Sequence, residues 1–187
     1  MFRTGNAEYF NPDDAARRII ARNPGIDLTQ ANSAAWQEGR RLLERAIAER
    51  GGFAFETTLG GTTIPRLLEH AASAGLAVRI WYVGLTDPAL HIARVRARVA
   101  AGGHDIPETK IRERFDASRL NLIRLLPTIT ELRLYDNSEE NDPRTGRAPQ
   151  PLLVLHLDRG RVVTACGRLL TPEWAKPIVA AAIRLVK

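Results

Sequence analysis

Short apolar runs alternate with amphipathic stretches along most of the chain. The clearest helical pattern lies in residues 29–50, where Trp36, Leu43 and Ile47 share one face. Residues 78–85 form an apolar run rich in β-branched and aromatic residues, which predicts a buried strand. The predicted helices span residues 12–22, 29–50, 62–74, 88–102, 107–127 and 172–186. The predicted strands span residues 9–11, 53–58, 78–85, 132–135, 152–157 and 161–165.

This order of elements predicts the fold class. Strands that alternate with helices of about 10–20 residues indicate βαβ units and a parallel sheet. Between the last two strands, Asp158-Arg159-Gly160 predicts a hairpin turn. A length of 187 residues favours one domain. We therefore expect an α/β fold in a single domain over residues 1–187, with a three-layer, mostly parallel sheet and helices on both faces. Residues 151–187 are expected to form the hairpin and a C-terminal helix.

Composition narrows the classes of protein that this chain can belong to. Of its 27 basic residues, 24 are Arg, and the formal net charge is +6. The arginines are spread among carboxylates, so a dedicated nucleic-acid surface is only a minor alternative. A single cysteine rules out an intramolecular disulfide framework and a four-cysteine zinc site. The sequence has no apolar run near 18 residues, so we expect a cytoplasmic protein without a membrane span.

Polar residues follow three of the predicted strands. Parallel sheets place their ligands outside the carboxyl ends of the strands. These ends are Asn11–Asp13, Glu56–Thr58 and Asp136–Ser138. We therefore expect the functional residues to lie there.

Asp13 and Asp14 begin a predicted helix directly after the first strand. A carboxylate at such a junction can accept a proton from a substrate hydroxyl. Both carboxylates also suit the positive end of the helix dipole, and Asn11 can cap the helix. One of the two acids can serve each purpose. Asp13 is the nearer of the two to the end of the strand.

Glu56 ends the second strand and is followed by Thr57, Thr58 and a Gly-Gly turn. A glutamate in a buried parallel strand is unfavourable unless it is paired or reaches solvent at the strand end. A polar binding site and a strand that merely runs out into solvent are equally good interpretations.

Six arginines lie within 26 positions on two predicted helices that a Gly-Gly pair joins. They are Arg94, Arg96, Arg98, Arg112, Arg114 and Arg119. A lid that closes over phosphates needs such arginines, because they neutralise charge and closure excludes water. Solvated helix faces, paired with Glu108, Glu113 and Asp116, are the alternative. We assign the lid-like helical hairpin to residues 93–119.

Taken in order, these segments resemble the zeta-toxin-like small-molecule kinases. The resemblance covers roughly residues 8–138. Its segments are Asn11-Pro12-Asp13, Phe55-Glu56-Thr57-Thr58, Arg94-Val95-Arg96-Ala97-Arg98-Val99, Gly102-Gly103-His104-Asp105-Ile106-Pro107, Ile111-Arg112-Glu113-Arg114-Phe115 and Asp136-Asn137-Ser138.

This resemblance implies a P-loop kinase fold that transfers a phosphoryl group from ATP, with Mg²⁺, to a hydroxyl of UDP-N-acetylglucosamine. It also implies an antitoxin protein that holds the kinase inactive. By the same resemblance, Asp13 is the base for the acceptor hydroxyl, and Glu56, Thr57 and Thr58 hold the acceptor. The other implied residues are Arg98, Arg112 and Arg114 around the phosphates, and Asn137 near the nucleotide base.

One part of the family pattern is missing. Members carry a strand and a G-x-x-x-x-G-K-[ST] loop just before the Asn-Pro-Asp segment, and this loop holds the phosphates. The present sequence starts at Met1-Phe2-Arg3-Thr4-Gly5 and contains no such loop. Three explanations stay open. The start codon is assigned too far downstream, which we favour; the gene is truncated and its product inert; or the chain is a non-catalytic remnant that binds a partner protein or a nucleotide sugar.

Overall fold

A computed structural model describes residues 8–103, 105–139, 150–167 and 169–185. The chain divides into two compact units, of which the first ends at Thr58 and the second begins at Leu59. Within the described residues, no helix is long and apolar enough to cross a membrane.

Helices and strands alternate as the sequence predicts, and most bounds agree within a few residues. The helices are α1 (Pro12–Arg22), α2 (Leu28–Ala48), α3 (Thr63–Ser73), α4 (Pro88–Ala100), α5 (Glu108–Leu125) and α6 (Lys176–Leu185), with a 3₁₀ helix over Glu173–Ala175. The strands are β1 (Glu8–Phe10), β2 (Phe53–Phe55), β3 (Arg79–Gly84), β4 (Glu131–Asp136), β5 (Leu152–Asp158) and β6 (Arg161–Ala165). The main difference is β2, which ends at Phe55 and leaves Glu56 just beyond the strand.

The N-terminal unit is a parallel pair of strands, β1 and β2, with helices α1 and α2. Phe10 is buried, and Phe53 and Phe55 pack against the same core, which contains small residues of both helices. Gly39 of α2 lets the Phe10 ring come close, since a Cβ there would lie 2.6 Å from Phe10 Cε1. One face of the strand pair therefore forms the core of this unit.

In the C-terminal unit, four strands are hydrogen-bonded in the order β3-β4-β5-β6. β3 and β4 are parallel, whereas β4–β5 and β5–β6 are antiparallel. Leu132 and Leu134 of β4 are fully buried and alternate with the partly exposed Arg133. A hydrogen bond of 2.9 Å between the Tyr82 and Ser118 hydroxyls connects β3 to α5. The sheet thus has one buried apolar face and one more exposed face, on which Trp81 and Val83 of β3 lie beside Arg133.

These units confirm the α/β class and the C-terminal hairpin. The hairpin turns at Arg159 and Gly160, which both have positive φ, at 46° and 72°. The described strands form two small sheets, because β2 pairs with β1 and β3 pairs with β4. One three-layer parallel sheet, and a single domain over 1–187, stay predictions.

Glu131, at the start of β4, accepts hydrogen bonds from Arg133 at 2.9 Å and from His156 at 3.0 Å, and lies 3.6 Å from Arg79. Burial raises the pKa of Glu131, but the hydrogen bonds from Arg133 and His156 outweigh it, so this pKa lies below its usual value. The hydrogen bonds of ionised Glu131 therefore stabilise the folded chain at pH values above about 4.3, the pKa of Glu in the unfolded chain. This stabilisation is lost as the pH falls through the lower pKa of Glu131 in the folded chain.

We expect Glu131→Gln to destabilise the protein at pH 5.5 and to have a smaller effect at pH 3. Urea unfolding at both pH values measures this difference. Glu113→Gln is the matched control, since Glu113 forms an exposed pair with Lys110 on one helix. An effect of Glu131→Gln that is equal at both pH values would contradict the assignment.

Candidate functional site

The carboxyl ends of β1 and β2 bring Asn11 and Glu56 together. Phe10 and Phe55 are partners in the parallel register, so the residues that follow them are neighbours. The Glu56 N–H donates to the Phe10 carbonyl at 3.2 Å and continues the strand pairing by one residue. Two sequence segments 45 residues apart thereby form one polar strand end.

Both oxygens of the Glu56 carboxylate accept hydrogen bonds. The Tyr9 hydroxyl donates to Oε1, and Asn11 Nδ2 donates to Oε2 at 3.0 Å. The bond to Glu56 is the main reason why the pKa of Tyr9 lies above its usual value, and burial adds to the effect. Glu56 is therefore an exposed carboxylate whose two oxygens are both hydrogen-bonded within the N-terminal unit, and its role in binding stays a prediction.

Asn11 also caps α1, because its Oδ1 accepts from the N–H groups of Asp13 at 2.8 Å and Asp14 at 3.1 Å. Asp14 pairs with Arg17 one turn along. Asp13 is exposed, and its carboxylate has no partner among the residues that the structure describes. The two acids thus differ: Asp14 belongs to the helix surface, and Asp13 has the accessible carboxylate that a general base needs.

Thr57 and Thr58 follow Glu56 at the end of the N-terminal unit, and both are exposed. Four predicted site residues therefore lie in this unit: Asp13, Glu56, Thr57 and Thr58. The other four, Arg98, Arg112, Arg114 and Asn137, lie in the C-terminal unit. Their expected roles stay predictions.

The three arginines lie on exposed parts of α4 and α5. Arg112 Nη2 is 3.9 Å from Glu108 Oε2, a long and exposed pair. Arg114 has no carboxylate partner among the described residues, and its stem packs on Gly60, where a Cβ would lie 2.8 Å from Arg114 Cγ. The Arg98 stem packs in the same way on Gly103. His104, in the motif between these helices, lies outside the described residues.

Asn121 of α5 holds the segment that Gly60 belongs to. Its Nδ2 donates to the carbonyls of Leu59 and Gly61, both at 2.8 Å. Leu59 is buried and has a positive φ of 54°. Asn121 could not be predicted from the sequence, because no spacing rule connects a helix residue to a turn 60 positions earlier.

Asn137 follows β4 at the third predicted strand end. Its N–H donates to the Gly84 carbonyl at 2.9 Å, and Arg94 donates to its carbonyl at 2.7 Å and to that of Glu139 at 3.1 Å. Arg94 thus binds the backbone carbonyls of the segment that follows β4. The Asn137 side chain has no partner within the described part of the chain.

Trp174, from the 3₁₀ helix, also packs at this strand end. Its Nε1 donates to Asp136 Oδ1 at 3.0 Å, and the same oxygen accepts from Ser138 at 2.5 Å. A Cβ on Gly84 would lie 2.3 Å from the Trp174 ring, so only glycine leaves room for it. The sequence predicts a hairpin and a C-terminal helix after residue 150 but gives Trp174 no role, although a lone Trp after a hairpin is a usable signal.

The described residues contain no group of three or more His, Cys, Asp or Glu side chains that could hold a metal ion. The sequence also lacks the loop that holds phosphates and Mg²⁺ in P-loop kinases. The residues present here therefore do not fit a resident ATP–Mg²⁺ site.

One relative decides the family of this chain. This chain is 32% identical to a protein of Haemophilus influenzae that is described as an uncharacterized protein. The match extends over 103 residues, which are 55% of this chain and 71% of the relative. The chain belongs to the same family as that protein. No family model matches the chain. No solved structure matches it.

Proposed function

We propose that this chain carries the acceptor-binding and lid parts of an ATP-dependent small-molecule kinase of zeta-toxin type. The kinase phosphorylates a hydroxyl on a UDP-amino sugar such as UDP-N-acetylglucosamine. Asp13 accepts the proton of that hydroxyl as its oxygen attacks the γ-phosphorus and the bond to the departing ADP breaks. Glu56, with Thr57 and Thr58, binds the acceptor.

The observation that carries this proposal is the strand end at Asn11 and Glu56. A carboxylate held at both oxygens by Tyr9 and Asn11 keeps lone pairs for donors of a ligand. The accessible Asp13 carboxylate begins the adjoining helix. Phosphoryl transfer to a hydroxyl requires a group that binds the acceptor and a base that takes its proton. Both are found here at the carboxyl ends of parallel strands, where such sheets bind ligands.

The C-terminal unit supports the same proposal. Arg112 and Arg114 are exposed on α5, where charge on a phosphate can reach them, and Arg98 is exposed on α4. β3 is the first strand of the described four-stranded sheet and is hydrogen-bonded there to β4. Its apolar run, however, is typical of a strand that has a neighbour on both sides in a parallel sheet. A P-loop-type sheet, with a further strand, is the finer fold that the kinase requires.

A second candidate is binding without transfer. It is favoured by the absence of a phosphate-binding loop from the sequence. If the kinase proposal is correct, the protein in its source cells should be heavier than 20.7 kDa. The expected difference is the mass of about 20–40 residues, the size of a strand and P-loop. An intact mass of 20.7 kDa would favour binding alone.

Isothermal titration of UDP-N-acetylglucosamine into this chain tests the acceptor site, which both candidates share. We expect Glu56→Gln to weaken binding about tenfold to a hundredfold, because hydrogen bonds to a charged group are lost. Glu44→Gln is the matched control, since Glu44 forms an ion pair with Arg40 on the surface of α2. Wild-type affinity in Glu56→Gln would contradict the acceptor site.

A further inference from the structure

Tyr9 lies on the face of the N-terminal strand pair that the core does not use. It is the register partner of Ala54, and side chains alternate along a strand, so Tyr9, Ala54 and Glu56 share this face. Phe10 and Phe55 point to the opposite face and pack in the core. Ala54 has only a methyl group, which leaves the Tyr9 ring uncovered on its neighbouring strand.

Tyr9 is 60% exposed although its hydroxyl is bonded to Glu56. Since the ring makes up most of the surface of a tyrosine, exposure of this size leaves part of the ring open to solvent. An aromatic ring in contact with water lacks the hydrophobic stabilisation of a buried ring, and a ligand that covers the ring supplies it. The tether also reduces the entropy that such a ring loses when a ligand binds.

We propose that Tyr9 is a specificity-determining residue of the acceptor site, whose hydroxyl holds Glu56 and whose ring packs on the sugar ring of the acceptor. This inference rests on the proposed function, in which Glu56 binds a sugar nucleotide. The Glu56 carboxylate accepts hydrogen bonds from hydroxyl groups at the edge of the sugar ring, while the apolar face of the sugar covers the Tyr9 ring. Ligands that lack the sugar gain nothing from this ring.

The tether is tested without any ligand, by absorbance titration of the tyrosines. The signal of Tyr9 is isolated by subtracting the titration of Tyr9→Phe from that of the wild type. Glu56→Gln should lower the pKa of Tyr9 toward its usual value, because the bond to the carboxylate is what raises it. Glu44→Gln should leave this pKa unchanged. An unchanged Tyr9 titration in Glu56→Gln would overturn the tether.

The ring contact is tested by titrating UDP-N-acetylglucosamine and UDP separately into four proteins: wild type, Tyr9→Phe, Tyr9→Ala and the control Tyr82→Phe. For the sugar nucleotide we expect a loss of about threefold to tenfold in Tyr9→Phe, which lacks one hydrogen bond, and at least tenfold in Tyr9→Ala. For UDP, both Tyr9 variants should stay within about twofold of the wild type. Tyr82→Phe also loses a hydroxyl bond, but one made to Ser118, and should bind like the wild type.

The outcomes separate this inference from the function on which it rests. Wild-type affinity for the sugar nucleotide in Tyr9→Ala overturns the ring contact and leaves the acceptor site standing. An equal loss for UDP in Tyr9→Ala places the ring against the base and overturns the sugar contact. If the wild type binds neither ligand, the proposed acceptor is wrong and the ring contact falls with it, while the titration still decides the tether.

Discussion

Asp13→Asn is expected to lower the rate of phosphoryl transfer by about 10²–10⁴-fold, the usual contribution of a general base. The change removes the group that accepts the hydroxyl proton and keeps the size of the side chain. Asp13 is exposed and makes no ion pair within the described residues, so the fold should not depend on its charge. The assay uses a form of the protein that also carries a phosphate-binding loop.

Asp14→Asn is the matched control, because Asp14 lies in the same first turn of α1 and feels the same helix dipole. It pairs with Arg17 and should keep activity within a few-fold of the wild type. Thermal unfolding of both variants checks that they remain folded. Full activity in Asp13→Asn, or equal losses in the two variants, would remove Asp13 as the base.

Trp174→Ala is expected to lower the free energy of unfolding by about 3–5 kcal/mol, the range found when a large buried aromatic is truncated. Trp174 is 5% exposed, its ring fills the space over Gly84, and it lies 6.1 Å from the Tyr82 ring. The change leaves a cavity and removes a donor from Asp136. Urea unfolding measures the loss.

Two further variants separate the causes. Trp174→Phe keeps a ring but loses the N–H group, so we expect a smaller loss, of about 1–3 kcal/mol. Trp36→Ala removes the same side chain from an exposed position on α2, where it is 40% exposed, and should lose less than about 1 kcal/mol. A wild-type stability in Trp174→Ala would show that the C-terminal segment does not pack at the end of β3 and β4.

Most elements of this fold could be predicted from local pattern. Pro12 and the two acids after it mark the start of α1, and Asn11 caps it as expected. The end of α2 shows the limit of such rules. The left-handed conformation that glycine usually takes after a helix is taken here by Arg50, with φ of 55°, and the Gly51 N–H donates to the Ala46 carbonyl.

Strand pairing could not be predicted in the same way. Apolar runs indicate that strands exist, but the pairing partner depends on contacts between distant segments, which periodicity does not contain. The sequence therefore suggested one parallel sheet, whereas the described strands form a pair and a mixed sheet of four. The antiparallel hairpin was predictable because its turn residues are adjacent in the chain.

In the candidate site, the sequence predicted the strand ends and missed Tyr9, whose hydroxyl orients Glu56. Glu56 and Asn11 each follow a short apolar run, so position alone suggested them. Tyr9 acts through the direction of its side chain and through a contact 47 residues away. In the C-terminal unit, Asn121 was missed for the same reason, since its contacts with Leu59 and Gly61 are 62 and 60 residues away. For Tyr9 a signal existed: it alternates with the buried Phe10 and so shares the face of Glu56.

Transfer of labelled γ-phosphate from ATP to UDP-N-acetylglucosamine, in the presence of Mg²⁺, is the most direct test of the central claim. The protein is purified from its source cells at its native length, and the product is identified by mass spectrometry. We expect a sugar nucleotide heavier by one phosphoryl group, formed only with active protein, whose label is diluted when excess unlabelled ATP is added. Hydrolysis of ATP without a phosphorylated sugar, or no turnover by protein that contains a phosphate-binding loop, would contradict the account.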